Sequence, residues 1–423
     1  MARNDKWYQL DNVAKIIPST ARGGDTRVFR ITCELTEKID PDILQEALDS
    51  VIQDFPHFNC VLRRGFFWYY LDARSFHPAV LPDHLPACSP IYFPGRKNML
   101  YRINYFDDRI NLEMFHVLAD GTGAFVFFRA LISSYLSLKY KLDISCESDE
   151  TSSTTEKGSD AYRQFYQKQR GLRQLREMSA LNAYQIKGEP DENLLPHLIE
   201  GTVSARLFLD TAHHFNTSVG ILATSVYIAA VIDEMSVKDK KKPVVVSVPV
   251  NLRKYFPSDT TRNFFGVINI SYQPDHFNGD ISTIISEVRE SFTKQLSKEK
   301  TLQTMNSYAA LEHNIAIQMA PLFIKDFAIG KLSSLAKHGV TSTMSNLGNI
   351  SMPPETVPYI RKFCGFMTAP SEQICVMTFQ DNMVFGEVTA HTTHEVMLHF
   401  FRRLTAMGIP VELASNDYDV PFT

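Results

Sequence analysis

Phe115-His116-Val117-Leu118-Ala119-Asp120-Gly121 joins an apolar strand to an apolar helix, and its reading decides the fold. A histidine, three spacers and Asp-Gly fall at the handover between the two elements. Such a junction can hold one imidazole rigidly at the rim of a cleft. Histidine titrates near neutrality, so a held imidazole suits a general base. Working outward, Leu100–Tyr105 and Ile110–Val117 read as two strands that turn at Asp107-Asp108 and deliver His116. Gly121 to Tyr140 then reads as a helix, with Phe125, Phe128, Leu131, Ile132 and Tyr135 facing inward.

Upstream, Thr26–Leu35 is rich in β-formers, and Asp40-Pro41 opens a helix as cap and first turn. Leu44, Leu48, Val51 and Ile52 share one face of that helix. Phe58–Arg63 and Phe66–Leu71 form a hairpin around Arg64-Gly65. Residues 146–160 turn acidic and Ser/Thr-rich and are expected to be a surface linker. A polar helical segment, Ala161–Ile186, follows. The second half offers a strand at Thr202–Leu209, a helix from Ser218 to about Met235, and strands at Val244–Val250 and Gly266–Tyr272. Helices at Ile281–Ser297 and roughly Leu302–Ala320 come next. Strands at Thr341–Ser345, Lys362–Met367, Ile374–Phe379 and Met383–Thr389 precede a helix, Glu395–Met407, that stops at Gly408. Hairpins and crossovers mix throughout, which implies an α+β protein with a mixed sheet flanked by helices in each half. The halves are placed at 1–160 and 161–423.

The chain has 423 residues, 44% of them hydrophobic, enough to bury two cores. Its net charge of −4 argues against a nucleic-acid binder, which shows a basic stripe. The opening Met-Ala-Arg-Asn-Asp-Lys lacks the apolar core of a signal peptide. Ile221–Ile232 is the longest strongly apolar stretch and too short to cross a bilayer, so no transmembrane segment is expected. Cysteines 33, 60, 88, 146, 364 and 375 form no CxxC pair and no metal spacing, which suggests a reduced, cytoplasmic protein. His391, His394 and His399 lie close together, but Glu395 follows rather than separates the first pair, so no metal site is expected. His213-His214 reads as helix surface. Lys238-Asp239-Lys240-Lys241-Lys242 fits a solvated loop, or a patch that attracts phosphates. No GxGxxG, Walker loop or G-x-S-x-G occurs, so nucleotide-cradle and serine-hydrolase chemistry lack support.

Three further segments accompany the histidine motif. Val248-Pro249-Val250-Asn251-Leu252-Arg253 ends a strand, Asn263-Phe264-Phe265-Gly266 opens the next, and Ser345-Asn346-Leu347-Gly348 ends a later one. With the opening strand–helix–strand run, Leu35–Arg63, they resemble the CoA-dependent acyltransferase superfamily. That superfamily includes chloramphenicol acetyltransferase, peptide-synthetase condensation domains, plant acyltransferases and alcohol acetyltransferases. The resemblance covers nearly the whole chain and is closest to stand-alone alcohol acetyltransferases of two fused domains. It implies two chloramphenicol-acetyltransferase-like domains with a cleft or tunnel between them.

By the same resemblance His116 is the base, taking a proton from an acceptor hydroxyl or amine that attacks an acyl thioester directly. Asp120 is structural and pairs with an arginine, for which Arg253 is the match; a solvent-facing strand-end residue is the plainer reading of Arg253. Gly121 permits the tight turn into the helix. Ser345 or Asn346 is placed to donate to the oxyanion, unless the segment is turn chemistry alone. No bound cofactor is implied; acetyl-CoA or another acyl-CoA is the cosubstrate, and a small alcohol or amine the acceptor. Transfer from a carrier-protein thioester, and an inactive fold used for binding, are the alternatives. One chain completing its own site makes a monomer the expectation. Two features depart from relatives: Phe115 stands where many members carry a first histidine, and the plant Asp-Phe-Gly-Trp-Gly segment is absent.

Overall fold

Two extended sheets carry the protein, each with its helices packed on an apolar face. The computed structural model describes residues 7–144, 154–166, 182–193, 195–313, 318–368 and 372–416. The first sheet has five strands in the order Ile360–Met367, Val28–Leu35, Arg109–Phe115, Tyr101–Phe106 and Val80–Pro82. The second has seven, in the order Phe265–Tyr272, Val244–Asn251, Ser342–Asn349, Gln373–Phe379, Asn382–Thr389, His197–Ser204 and Glu412–Ser415. A small sheet of Trp7–Gln9, Tyr69–Ala73 and Cys60–Arg64 completes the set. Parallel and antiparallel pairs mix in both large sheets. The α+β class with two helix-flanked mixed sheets therefore stands.

The helix Gly121–Tyr140 starts where Asp120 caps it: Asp120 Oδ1 accepts from Gly123 N at 2.8 Å. It ends at Lys141, whose φ of 54° is left-handed. Phe127, Phe128, Leu131, Ile132 and Tyr135 are fully buried against the five-stranded sheet. Phe127, rather than Phe125, carries the inward face at that level; Phe125 is half-buried, edge-on to Phe363 at 5.5 Å. This helix is long and apolar enough by composition to cross a membrane, but its apolar stripe is spent on the core. The helix Pro41–Val51 packs beside it, capped by Asp40, which accepts from Asp42 N and Ile43 N. Val219–Glu234, apolar all round, is the central helix of the second core.

The chain crosses between the sheets once in a way that periodicity does not reveal. Ile360–Met367 comes late in sequence yet pairs antiparallel with Val28–Leu35, with Phe363 opposite Cys33. Ion pairs cross the same interface: Glu200 meets Arg109 at 3.2 Å and also Lys362. The cysteines at 33, 60, 88, 364 and 375 are free and buried; Cys146 lies outside the described residues.

Several elements differ from the sequence reading. The strand expected at Thr202–Leu209 runs instead from His197 to Ser204, and a helix, Ala205–His214, follows. Ser204 is the cause: its Oγ accepts from Leu207 N at 3.2 Å, and Phe208 and Ala212 bury one helical face. Of the helix expected over 161–186, Ala161–Phe165 is present, 167–181 lies outside the described residues, and 182–189 is irregular. There, Ala183 N and Tyr184 N donate to the carbonyls of His338 and Pro243. Of the linker 146–160, Thr154–Lys157 is a short helix and residues 145–153 fall outside the described residues. A helix without sequence signal, Leu322–Lys337, packs against the 60–73 hairpin through Leu322 N, which donates to Phe66 O at 2.9 Å. Its apolar side chains mostly face outward, so no buried stripe announces it.

Candidate active site

His116 stands one residue beyond the strand Arg109–Phe115, and its N–H donates to Arg27 O at 3.0 Å. Its ring lies edge-on to Phe29 at 5.3 Å and tilted against Phe265 at 5.6 Å. The side chain is hemmed in by protein yet keeps partial contact with solvent. Burial pushes its pKa below the usual histidine range, against the opposing pull of the Asp120 charge and of the ring's hydrogen bonds to its own backbone and to Asn263. The imidazole is therefore neutral at neutral pH.

Asn263 settles which ring nitrogen carries the proton. Its Nδ2 donates to Asp11 Oδ2 and to His116 O, both at 3.1 Å. Those two acceptors face the NH₂ group, so Oδ1 must face the ring. Oδ1 sits 2.9 Å from His116 Nδ1 and can only accept, so Nδ1 carries the hydrogen and Nε2 keeps its lone pair. Asp11 is fully buried; burial pushes its carboxyl upward, opposed by Arg262, Ala14 N and Asn263.

Asp120 and Arg253 meet at 2.8 Å, Oδ2 to NH1. The contact uses one guanidinium nitrogen, not the bidentate fork. The rest of the fork serves the following loop: Nε donates to Thr260 O at 3.0 Å and NH2 to Arg262 O at 2.6 Å. Asp120 Oδ2 also accepts from Phe264 N at 2.8 Å. The pair thus pins the 260–264 loop, and that loop carries Asn263 to the histidine. Arg253 is a strand-end residue, but its guanidinium points inward.

Gly121 has no left-handed backbone; a Cβ there would meet Leu347 Cδ2 at 3.0 Å. Its smallness serves packing against the Ser345–Gly348 segment rather than a strained turn, which corrects the expected reason. Gly123, unremarked in the sequence, is more constrained: a Cβ would lie 1.9 Å from Thr261 O. Ser345 and Asn346 do not end the strand Ser342–Asn349 but sit at its bulge. Asn346 Oδ1 accepts from Gly348 N at 2.8 Å, a turn role, and its side chain faces solvent. Gly348 adopts φ +80°, which favours glycine. Phe115 is fully buried and stacks on Tyr92 at 5.3 Å, so the place of a first histidine is filled by core.

The histidines of the 391–399 segment lie beside acids. His394 Nδ1 lies 2.9 Å from Glu387 and His399 Nε2 2.7 Å from Glu234. Glu234, Glu395 and His399 offer ligand atoms within 4.8 Å of one another, a partly exposed cluster away from His116's partners. His213-His214 ends the helix Ala205–His214. The Lys238–Lys242 run sits before Val244, at the far end from Arg253 of a strand about 25 Å long.

Sequence reasoning reached His116, Asp120, Gly121 and Arg253, and the structure brings these together. It missed Asn263 and Asp11 as the histidine's partners. Asn263 was visible as the last residue of a polar run before Phe264-Phe265; Asp11 carries no local signal.

No protein-family model matches the sequence, and no curated protein matches it. Solved structures do. The trichothecene 15-O-acetyltransferase TRI3 of Fusarium sporotrichioides is similar over 95% of this chain and 94% of its own, at 9% identity and a TM-score of 0.66. TRI101 of F. sporotrichioides, solved with coenzyme A and T-2, matches over 96% and 99%, at 10% identity and 0.65. The first condensation domain of the calcium-dependent antibiotic synthetase matches over 97% and 100%, at 11% identity and 0.62. Identities this low speak for the fold alone, and on that level the chain has the two-domain, chloramphenicol-acetyltransferase-like fold shared by acyltransferases and condensation domains.

Proposed function

We propose that this chain is an acyltransferase that moves an acyl group, acetyl in the simplest case, from acyl-CoA to the hydroxyl or amine of a small molecule. The observation that carries this reading is the Asp11–Asn263–His116 chain, which holds a neutral imidazole with Nε2 unprotonated. In the step, Nε2 takes the acceptor's proton as the acceptor oxygen or nitrogen bonds to the thioester carbonyl carbon. The tetrahedral intermediate then collapses, the C–S bond breaks, and the proton on Nε2 passes to the leaving CoA thiolate. No acyl-enzyme and no second base are needed. Coenzyme A in TRI101 supports the choice of donor.

Ser345 is the better oxyanion donor of the two candidates, because it is half-buried whereas the Asn346 side chain faces solvent. One chain supplies His116 from its first half and Asn263 and Arg253 from its second, so a monomer can act. The condensation-domain likeness favours a second reading, transfer from a carrier-protein thioester.

Thiol release from acetyl-CoA across a panel of alcohols and amines tests the proposal. His116→Ala is expected to lose about 100-fold or more of kcat, with its unfolding midpoint little changed. Turnover that survives this substitution removes the base assignment. Turnover only with a carrier-bound thioester selects the second reading, and thioester binding without any turnover would leave an inactive binding protein.

A further inference from the structure

A cavity of about 1350 Å³ lies between the Cys60–Arg64/Tyr69–Ala73 hairpin and the helix Leu322–Lys337. Arg22, Arg63, Arg64, Arg74 and Arg96 line it against only Asp72 and Asp326, a formal +3 in a chain of net −4. Both carboxylates are already engaged. Asp72 Oδ2 takes Arg63 Nε at 3.1 Å and Arg74 NH2 at 2.5 Å. Asp326 accepts from Ser19 Oγ at 2.7 Å and Tyr69 OH at 3.0 Å, with Arg64 at 3.4 Å. Arg22 and Arg96 face no carboxylate among the described residues. The guanidinium of Arg22 rests against Gly330, and that of Arg96 lies 5.4 Å from the Phe93 ring centre. Like charges gathered in one concavity repel, and an anion relieves them.

The wall also carries four aromatic side chains, Trp7, Tyr69, Tyr70 and Tyr92, among small and apolar residues. Trp7 stands edge-on to Tyr70 at 6.4 Å, and Tyr92 links the cavity to Phe115, the neighbour of His116. Guanidinium forks match phosphoryl oxygens, and tyrosine faces stack flat rings. The space is too large for inorganic phosphate alone. The Lys238–Lys242 run, the basic segment most visible in sequence, lies at the far end of the Val244–Asn251 strand and gives Lys187 a partner through Asp239 at 2.6 Å.

We infer that this cavity is a binding site for a phosphorylated, ring-bearing ligand of the nucleoside diphosphate type, with phosphoryl groups on Arg22 and Arg96 and the ring against Tyr70 and Tyr92. The ligand has two sources, the nucleotide end of coenzyme A or a free nucleotide. The first source rests on the proposed acyl-CoA reaction; the site itself does not.

Calorimetric titration of the full chain with CoA, with ADP and with inorganic phosphate tests this, beside thiol release by the same preparation. Arg22 and Arg96 are exposed and serve no fold contact with an acid, so Arg22→Ala/Arg96→Ala should fold normally. It is expected to weaken CoA or ADP at least tenfold, while Lys240→Ala/Lys241→Ala changes neither. Inorganic phosphate alone is expected to bind far more weakly than either. CoA binding without ADP binding assigns the coenzyme; comparable binding of both assigns the nucleotide moiety. No binding of either, or binding indifferent to the arginine pair, overturns the inference. Turnover with indifferent binding leaves the acyltransferase reading standing alone, and arginine-dependent ADP binding without turnover leaves the site standing alone.

Discussion

Replacing Asn263 by alanine and by aspartate should move the acid limb of kcat/KM in opposite directions. The wild-type limb reports protonation of the base, which is active only when neutral. Burial holds the His116 pKa below the usual value, while the Asn263 bond and the Asp120 charge pull it up. Asn263→Ala removes the 2.9 Å acceptor at Nδ1, so the pKa falls further and activity persists to lower pH. Asn263→Asp puts a carboxyl at the same distance and beside buried Asp11; in its ionised form it favours imidazolium and moves the limb up. The lost hydrogen bond contributes about 0.5–1.5 kcal/mol to holding the ring, so Asn263→Ala also lowers kcat/KM by about two- to tenfold on the plateau. Buried Asp11 loses a donor in the same variant, and the unfolding midpoint drops. The assay is initial-rate thiol release from acetyl-CoA at constant ionic strength, across pH 5 to 8 or so. Limbs that shift together, or stay fixed while the plateau falls, would show that the titrating group is not His116 held by Asn263.

Asp120→Ala should destabilise the protein by about 3–5 kcal/mol in urea unfolding, because it strands a nearly buried Arg253 and removes the Gly123 cap and the Phe264 partner. Asp120→Asn keeps one oxygen, which can serve Arg253 and Phe264 or the Gly123 cap but not all three, and should lose less, with activity reduced in proportion to the loosening of the 260–264 loop. Gly123→Ala forces a Cβ onto a backbone carbonyl and should cost about 1–3 kcal/mol or more, whereas Gly121→Ala meets only the end of Leu347 and should be near neutral; thermal melts separate the two. His57 is buried against Thr261 at 2.7 Å, and burial, with Arg262 and Lys157, pushes its pKa down to about 3. The folded state thus resists protonation that the unfolded chain accepts near pH 6.5, so stability is full above that pH and falls as pH drops toward 3. His57→Gln should flatten that dependence of the urea midpoint, and an unchanged slope would assign the acid lability to other groups.

Local pattern in the sequence made most of the elements legible and singled out His116 as a candidate base. The hairpin to His116, the Asp40 cap and the helix Gly121–Tyr140 all follow from neighbours in the chain, because caps and periodicity act over a few residues. Ser204 shows the limit: a β-rich run ran on into a helix that a single hydroxyl starts. The helix Leu322–Lys337 shows another, since an exposed apolar face carries no amphipathic signature. Only the tertiary structure decided which residues face one another across long loops. Asp11 and Asn263 are 252 residues apart, and their approach fixes the imidazole tautomer. Arg253 was legible as a partner for Asp120, but its grip on the 260–264 loop was not, because those bonds go to carbonyls that every residue possesses. The strand Ile360–Met367 joins the first sheet for the same kind of reason: strand pairing is made by backbone, and the sequence does not say with whom. Thus the run from His116 to Gly121 named the proposed base, and packing of the second half onto the first decided which of its nitrogens faces Asn263.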